Sequence, residues 1–586
     1  MDLAALHRTR RNLVERLNAE RVAGGWWEGR LASSALSTAT AIGALALASD
    51  HDVTPGLDWL AKTQNEDGGW GDTVLSLSNI STTVLCWCSF AISGTEVRYQ
   101  ASIKKAEAWL TNAAGGTDAP RLTKAVLHRY GTDRTFSVPI LTVMAIAGKL
   151  GQGRDAWHDI PQLPFELAAC PHQIFGALGL PVVSYALPAL IAIGQVRHHH
   201  RPSRNPVTRI LRNQLTPKTL HLLRHIQPST GGYLEATPLT SFVVMSLAFA
   251  GRKHHAVAER GVGFLQQSMR PDGSWPIDTN LATWVTTLSI NALSPLPANE
   301  HPLDRNARNA IRDWLLAQQY QEEHPYTHAA PGGWAWTPLP GGVPDADDTA
   351  GALLALRHLG PIDDRTRKAA AHGARWLLDL QNNDGGMPTF CRGWGKLPFD
   401  RSGTDLAAHA IAAWQEWLDH LPGELRARTE KSLARAKAFL VRNQKQDGSW
   451  TPLWFGNEHA EKQENPTYGT ARVLPPMLCA NHPAAETALE WLCQTQNEDG
   501  GWGGGPGTAS TIEESSLALH ALAEANRPAL GPAISRGAAW LIEATNEGRK
   551  TPPSPLGLYF ASLWYYESLY PLIFSTGALT RLVRAG

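Results

Sequence analysis

The chain has 586 residues, and its 53 lysines and arginines balance its 53 aspartates and glutamates, so the formal net charge at pH 7 is zero. This length is too great for one compact core and predicts two large domains, while the balanced charge argues against a nucleic-acid partner. The six cysteines are dispersed, and only Cys86 and Cys88 form a close pair, without a second pair at zinc-ligand spacing. We therefore expect reduced thiols in a cytoplasmic protein and no metal site.

The N-terminal and apolar segments give no sign of export or of a membrane span. Residues 1–17 are basic and amphipathic, without the apolar core of a signal peptide. The longest apolar stretch, residues 180–194, is interrupted by Pro181 and Pro188 and is too short to cross a bilayer. We therefore expect a protein that is neither secreted nor transmembrane.

A repeated phrase contains about half of the 22 tryptophans. Residues 64–71 read QNEDGGWG, and the same eight residues recur at 496–503. Each copy follows a helical apolar pattern, and Asp-Gly-Gly predicts a turn before the aromatic residue packs back. Close variants lie at residues 264–275, 314–334, 376–387 and 439–450, and degenerate copies lie near Trp109, Tyr233 and Trp540. Helix pairs repeated in this way predict an all-α barrel or solenoid, in which the repeat tryptophans have a structural role.

Three carboxyl groups are crowded into the segment Pro344-Asp345-Ala346-Asp347-Asp348-Thr349. It lies between the aromatic segment 331–336 and the apolar run 350–356, and Pro344 followed by this run predicts the start of a buried helix. Crowded, buried carboxyl groups cannot all ionise, so at least one is expected to keep its proton at neutral pH. An exposed helix cap is the alternative interpretation. The first interpretation predicts a proton donor that faces an apolar space.

The repeat, the acid motif, Pro331-Gly332-Gly333-Trp334-Ala335 and Asp405-Leu406-Ala407-Ala408-His409 together resemble the squalene-hopene cyclase family of class II terpene cyclases. The resemblance spans nearly the whole chain. It implies an all-α fold of two α/α barrels, or toroids, built from repeated helix pairs with a hydrophobic cavity between them. We expect residues 1–22 to dock on the second barrel, residues 23–297 to form the first barrel, and residues 298–586 to form the second, which carries the acid motif.

The resemblance assigns roles to the acidic motif and to one histidine. Asp347, the middle carboxylate, matches the proton donor of the family, and Asp345 and Asp348 are expected to hold the proton on the cluster. His409 matches the histidine that hydrogen-bonds the catalytic aspartate. Asp405 lies one helical turn earlier on the same face, where it is expected to keep the imidazole charged. A satisfied core histidine is the alternative for His409.

Aromatic side chains are expected to line the cavity, because ring faces stabilise cations. Trp336 falls at a family position usually held by phenylalanine, and Ile277 lies in a segment where the family has a tryptophan. The full set of expected wall residues is Trp336, Phe390, Trp454, Tyr468, Tyr559, Tyr566 and Ile277. Ordinary aromatic core is the alternative for each ring.

These features predict an isomerase, an intramolecular transferase that protonates the terminal alkene of a linear polyprene and drives cationic polycyclisation. Squalene is the expected substrate and a hopene-type triterpene the expected product. The same cyclisation of another polyprenyl chain, such as a prenylated aromatic, a tetraprenyl or a diterpene chain, is the first alternative, because the cavity positions depart from the family pattern. A non-catalytic lipid-binding toroid is the second, and a zinc-dependent protein prenyltransferase subunit is a third. The resemblance implies no cofactor and no metal.

The resemblance also implies a peripheral, monotopic protein on the cytoplasmic side of a membrane, and it allows a homodimer. The basic, amphipathic stretch 197–223 is the expected membrane-facing entrance. A solvated helix between the barrels is the alternative interpretation of this stretch.

Overall fold

The computed structural model describes residues 2–131, 134–480, 482–558 and 562–585. It is built mainly of helices, joined by short loops and by a few very short strands. The helices are α1 Leu3–Ala19, α2 Ala35–Ala48, α3 Thr54–Lys62, α4 Ile80–Ile92, α5 Gln100–Ala114, α6 Ala119–Tyr130, α7 Arg134–Ile146, α8 His172–Ala177, α9 Val182–His200, α10 Pro206–His225, α11 Thr237–Phe249, α12 Ala256–Ser268, α13 Ala282–Leu293, α14 Arg305–Ala317, α15 Ala346–His358, α16 Asp364–Leu380, α17 Thr404–Trp417, α18 Gly423–Arg442, α19 Pro466–Cys479, α20 Ala484–Gln494, α21 Ile512–Ala525, α22 Gly531–Ala544 and α23 Tyr570–Ala585. The strands are β1 Ser33–Ser34, β2 Trp275–Pro276, β3 Phe455–Gly456, β4 Leu556–Leu558 and β5 Leu563–Tyr565.

Five inner helices close the first ring, in which α2 packs on α4, α4 on α7, α7 on α9, α9 on α11, and α11 back on α2. The inner helices are buried on nearly all sides and are rich in small or apolar residues, as α2 illustrates with its run of buried Ala, Ser and Thr. The outer helices α3, α5, α6, α10 and α12 each pack against this ring. An amphipathic stripe on the outer helices faces inward, which is the packing that the repeat predicted.

Six inner helices close the second ring, which runs α13, α15, α17, α19, α21, α23 and back to α13. The outer layer consists of α14, α16, α18, α20, α22 and the N-terminal helix α1, which packs on α22 and α23. Helix α13 belongs to the second core, together with Trp27 from the N-terminal part of the chain. The packing therefore begins the second ring at Ala282, before the boundary expected at residue 297.

The repeat links each outer helix to the turn that follows it. The Trp450 indole N–H donates to the Leu440 carbonyl, and the Gln444 amide donates to the carbonyls of Gly448 and Ala484, the latter at the start of the next outer helix. Equivalent indole bonds reach Leu60, Leu265, Leu315 and Leu492 from Trp70, Trp275, Trp334 and Trp502. Gly448 has φ +94°, a conformation that favours glycine. The tryptophans of these copies thus have the structural role that the sequence predicted.

The strands connect distant parts of the chain. Strand β1 pairs with β2, and β3, β4 and β5 form a small antiparallel sheet. The Trp564 backbone N–H in this sheet donates to the Asp72 carboxylate of the first barrel at 2.8 Å. The sheet therefore fastens the second barrel to the first.

Candidate active site

The acid motif forms the start of helix α15, with Asp345 as its N-cap. The Asp345 carboxylate accepts the backbone N–H of Asp348 at 2.9 Å, and the Asp345 and Ala346 backbone N–H groups donate to the carbonyls of Trp334 and Thr389. Asp345 and Asp348 are only 4% exposed, whereas the Asp347 side chain is 20% exposed. Asp347 is therefore the carboxylate of the motif that a substrate can reach, and the motif is not an exposed helix cap.

His409 on α17 holds Asp347 from the neighbouring inner helix. The His409 Nδ1 atom lies 2.6 Å from Asp347 Oδ1, and its side chain is 16% exposed in a helix whose other nearby positions are buried. The Trp284 ring of α13 meets the imidazole edge-on, with centroids 6.2 Å apart. The expected pairing of Asp347 with His409 is thus present in the structure.

Burial sets the protonation of the flanking carboxyl groups. It raises the pKa of Asp345, and it raises the pKa of Asp348 well above its ordinary value, with the Asp345 charge adding to the effect. Burial and the charge of Asp345 thus favour the protonated form of Asp348. Asp348, a carboxyl group with a raised pKa, is thus the next residue after Asp347.

Asp405 does not have the contact that the sequence predicted. Its Oδ1 atom accepts the Leu453 backbone N–H at 3.0 Å, and within the part of the chain that the structure describes it has no hydrogen bond to His409. Burial first, and the Asp347 charge second, raise the pKa of Asp405 to about 7. The Leu453 backbone N–H thus binds only Oδ1 of Asp405, whose Oδ2 atom is buried without a hydrogen-bond partner among the described residues, and the imidazole of His409 is hydrogen-bonded to Asp347.

Three of the expected wall residues form one aromatic cluster. Phe390 lies edge-on between Trp336 and Trp454, with centroid distances of 6.4 and 6.1 Å. Phe399 and Tyr185, which sequence reasoning missed, complete the cluster at 5.7 and 5.3 Å from Phe390. Trp336 packs against the cores of both barrels. The cluster therefore lies between the two barrels, where the cavity was expected.

The remaining wall residues are dispersed. Tyr468 is 3% exposed and packs on Phe455 with centroids 4.6 Å apart. Ile277 is half-buried, and its carbonyl accepts the Thr237 backbone N–H. Tyr566 lies near Arg270 and Arg30, and burial raises its pKa. Tyr559 lies outside the described residues.

Several polar and aromatic groups near the acid were not predicted. The Trp284 indole N–H donates to the Tyr570 hydroxyl at 3.0 Å, and the Tyr565 hydroxyl lies 3.2 Å from that of Tyr570. Arg472, on α19, follows Tyr468 by one helical turn. The tyrosine-rich segment 565–570 was the available signal for the first group, whereas nothing in the sequence distinguishes Arg472 from other arginines.

One group of side chains in the described ranges has the composition of a metal site. His172, Glu323 and His328 place their ligand atoms within 4.8 Å of one another. The two imidazole rings stack face to face with centroids 3.5 Å apart, so their ring nitrogens do not converge on one point. His328 Nδ1 instead lies 2.8 Å from the Glu323 carboxylate. This geometry fits a stacked histidine pair in which His328 is hydrogen-bonded to Glu323.

Two family models match the chain. The squalene-hopene cyclase N-terminal domain matches residues 10–147, and the squalene-hopene cyclase C-terminal domain matches residues 280–511. The second match contains the whole acid motif, His409 and Asp405, and it begins two residues before α13.

Individual proteins and a solved structure agree with these matches. The chain is 30% identical over 418 residues to a terpene cyclase-glycosyl transferase fusion protein of Humicola fuscoatra, covering 62% of this chain and 30% of that protein. It is 30% identical over 299 residues to a drimenyl diphosphate synthase of Streptomyces showdoensis, covering 49% of each. The chain thus spans half or less of the length of these relatives. The ent-copalyl diphosphate synthase from Streptomyces platensis has a similar fold, with a TM-score of 0.62 and 19% identity over 98% of this chain and 99% of that one.

Proposed function

We propose, because this chain belongs to the squalene-hopene cyclase family of class II terpene cyclases, that it protonates a terminal alkene of a linear polyprene and cyclises it. One observation carries the proposal: Asp347 is the accessible carboxyl of a buried acidic motif and is hydrogen-bonded to His409. Burial favours the protonated form of Asp348 beside it, and the helix start lowers the energy of the carboxylate that remains after transfer.

The chemistry conserves all atoms. The Asp347 O–H bond breaks, its proton forms a C–H bond with the terminal alkene carbon, and the alkene becomes a tertiary cation. Successive alkenes attack this cation and form the rings, until loss of a proton from carbon yields a new alkene. A cation of this kind must be kept from water, and the rings of Trp336, Phe390 and Trp454 offer faces that stabilise it. No cofactor takes part in these steps.

Squalene is the substrate that we propose first, with a hopene-type triterpene as product, which makes the enzyme an isomerase. One observation favours a different polyprene: the carboxyl group of Asp278, next to Ile277, lies near Trp336, and its Oδ1 atom is buried. A polar group at this position suits a substrate with a polar end. The relative named drimenyl diphosphate synthase makes a polyprenyl diphosphate the second substrate class to test.

The experiment is incubation of the purified, detergent-solubilised protein with squalene, followed by extraction and gas chromatography with mass detection. The acid is tested with Asp347→Asn, and the matched control is Asp364→Asn, a fully exposed aspartate in the first turn of α16. We expect a polycyclic isomer from wild type and control and none from Asp347→Asn. Squalene that remains unchanged with wild type would overturn its assignment as the substrate. The same three proteins are then tested with farnesyl and geranylgeranyl diphosphate. Inactivity with every polyprene, together with binding of squalene, would favour the lipid-binding toroid.

We propose further that the protein lies on a membrane surface. No helix of the described ranges combines the length and the apolarity needed to cross a bilayer. A surface of exposed apolar side chains supports peripheral attachment, and it comprises Leu167, Ile174, Leu178, Val207, Ile210, Leu211, Trp394 and Leu397. The Trp394 indole N–H donates to the Leu178 carbonyl and so joins two parts of this surface.

Flotation with anionic liposomes tests the membrane proposal. Wild type is expected to float, and Ile174→Ser with Trp394→Ser is expected to float several-fold less because both side chains are exposed and apolar. Val97→Ser, which removes a 94% exposed side chain elsewhere, is the control. Wild type that stays at the bottom of the gradient would contradict the proposal. The homodimer that the family resemblance allows is tested by light scattering of the purified protein without liposomes.

A further inference from the structure

Arg472 is a guanidinium held between two aromatic rings beside the acid cluster. Its Cζ atom lies 5.2 Å from the Tyr468 ring centroid and 5.4 Å from that of Phe574. Its Nη2 atom is buried and has no hydrogen-bond partner. A buried donor without a partner costs free energy, so another interaction must stabilise this arrangement.

A second arginine of the same ring, unlike Arg472, is paired with a carboxylate. Arg581 on α23 donates to the Glu524 carboxylate at 2.9 Å and forms an ion pair with it. Arg472 has no ion pair within 4 Å among the described residues, although Asp347 and Asp405 are near enough to raise its pKa. The nearby His520 is buried and, with its pKa lowered well below the ordinary value, is neutral. Tyr468 and the carboxylates of Asp347 and Asp405 are thus the neighbours that favour the charged form of Arg472.

We propose that Arg472 is a positioning residue for the proton donor, whose fixed positive charge stabilises the carboxylate that Asp347 becomes when its proton leaves. The inference rests on the proposed function of Asp347. Arginine suits this role because its guanidinium stays charged under all working conditions and stacks on aromatic rings. The rings of Tyr468 and Phe574 pack on both sides of the guanidinium, and its Nη2 group has no hydrogen-bond partner among the described residues.

The charge of Arg472 acts within a defined set of neighbours. The groups that face Asp347 or share its field are Asp345 and Asp348 on its own helix, Asp405 and His409 on α17, Tyr468 and Arg472 on α19, Tyr565 on β5, and Tyr570 on α23. Arg472 is the member of this set that carries a permanent positive charge. The carboxyl groups and the phenols titrate toward negative charge, and the imidazole of His409 titrates between neutral and positive.

Removal of this charge has two effects of opposite sense. A donor without a nearby cation is a weaker acid, so proton transfer to the alkene slows. The same donor keeps its proton to a higher pH, so the alkaline limb of the pH–rate profile moves upward. A change in folding or packing alone lowers the rate but does not shift the limb.

The test uses full-length Arg472→Met, which keeps an apolar chain of similar length, and Arg472→Lys, which keeps the charge. Arg472→Met is expected to lower the maximal rate about 10–30-fold and to raise the alkaline limb by about one pH unit. Arg472→Lys is expected to restore most of the rate and the wild-type limb. Arg581→Met removes a charge from the same ring and is expected to leave the limb unchanged.

An infrared titration of the carboxyl band separates this inference from the proposed function. The band of the donor is identified by its loss in Asp347→Asn, and its pKa is followed without substrate. A rise of about one unit in Arg472→Met supports the inference even if no polyprene is cyclised, in which case only the proposed function fails. An unchanged or lowered donor pKa in a folded Arg472→Met protein would overturn the inference. If Arg472→Met does not fold, Arg472→Lys and Arg472→Gln are titrated in its place, and an identical donor pKa in both would overturn it.

Discussion

The Asp347 carboxylate and the His409 imidazole meet at 2.6 Å across two adjacent inner helices, α15 and α17. The donor and its partner therefore come from separate repeats, and the packing of these two helices fixes the hydrogen bond. A displacement of one helix relative to the other would therefore change the length of this bond. The geometry makes catalysis sensitive to packing at residues that never contact the substrate.

Replacement of His409 by Phe is expected to lower the cyclisation rate by 10²–10⁴, because the donor loses its only hydrogen-bonded partner on α17. The protein should still fold, since Asp347 is the hydrogen-bond partner of the His409 side chain within the described residues and Phe keeps an aromatic ring at this position. Product formation per enzyme at several pH values checks this result. A rate within threefold of wild type would contradict the role of His409.

Asp405→Asn is expected to stabilise the protein at alkaline pH. Burial raises the pKa of Asp405 to about 7, above the unfolded value near 3.9, so the folded state binds more protons and loses stability as pH rises between these values. Asparagine does not titrate and can still accept the Leu453 N–H. The stability advantage of the variant should therefore grow by about 2–3 kcal/mol between pH 5 and pH 8. Denaturant unfolding at the two pH values measures it, and a constant difference would disprove the assignment.

Trp336→Leu is expected to change the products more than the consumption of substrate. Loss of the indole face removes about 2 kcal/mol of cation stabilisation, equivalent to about 30-fold in the partition between further cyclisation and early termination. Incompletely cyclised products should therefore increase relative to the wild-type product. Gas chromatography of the extract gives the ratio of incompletely cyclised products to the wild-type product. An unaltered ratio would contradict a place for Trp336 in the cavity wall.

Trp450→Phe is expected to destabilise the second barrel by about 2–4 kcal/mol. The substitution leaves the Leu440 carbonyl without its donor and opens a cavity at a fully buried site. Trp540 belongs to a degenerate repeat and donates to Asp499 at an exposed position, so Trp540→Phe should cost less than about 1 kcal/mol. Chemical unfolding of both variants provides the comparison. Equal losses in the free energy of unfolding would show that the buried indole hydrogen bond of Trp450 contributes no more to stability than the exposed one of Trp540.

The repeat and the acid motif were sufficient to predict much of the molecule. The spacing of Gln, Gly and Trp predicted helix pairs, and the structure contains them as inner and outer layers of two rings. The pattern around Pro344 predicted a buried helix start, and α15 begins at Ala346. These features are local, so they can be recognised in a short stretch of sequence.

The missing parts depend on contacts between distant residues. Asp405 bonds to Leu453, which lies 48 positions away in a loop whose path no local pattern specifies. Helix α13 has the same apolar composition as helices of the first ring, so only its packing assigns it to the second. Tyr565 rather than Tyr566 reaches the hydroxyl of Tyr570, because the register of the short strand β5 decides which neighbour faces the acid.

Helix α1 completes the outer layer of the second ring by packing on α22 and α23. It is synthesised before α22 and α23, the helices on which it packs, and these follow roughly half a minute to two minutes later at 5–20 residues per second. During that interval the apolar face that includes Leu6, Leu13 and Leu17 lacks its partners on α22 and α23. Helix α1 thus depends on α22 and α23 for its burial, and loss of α23 would expose the apolar face of α1.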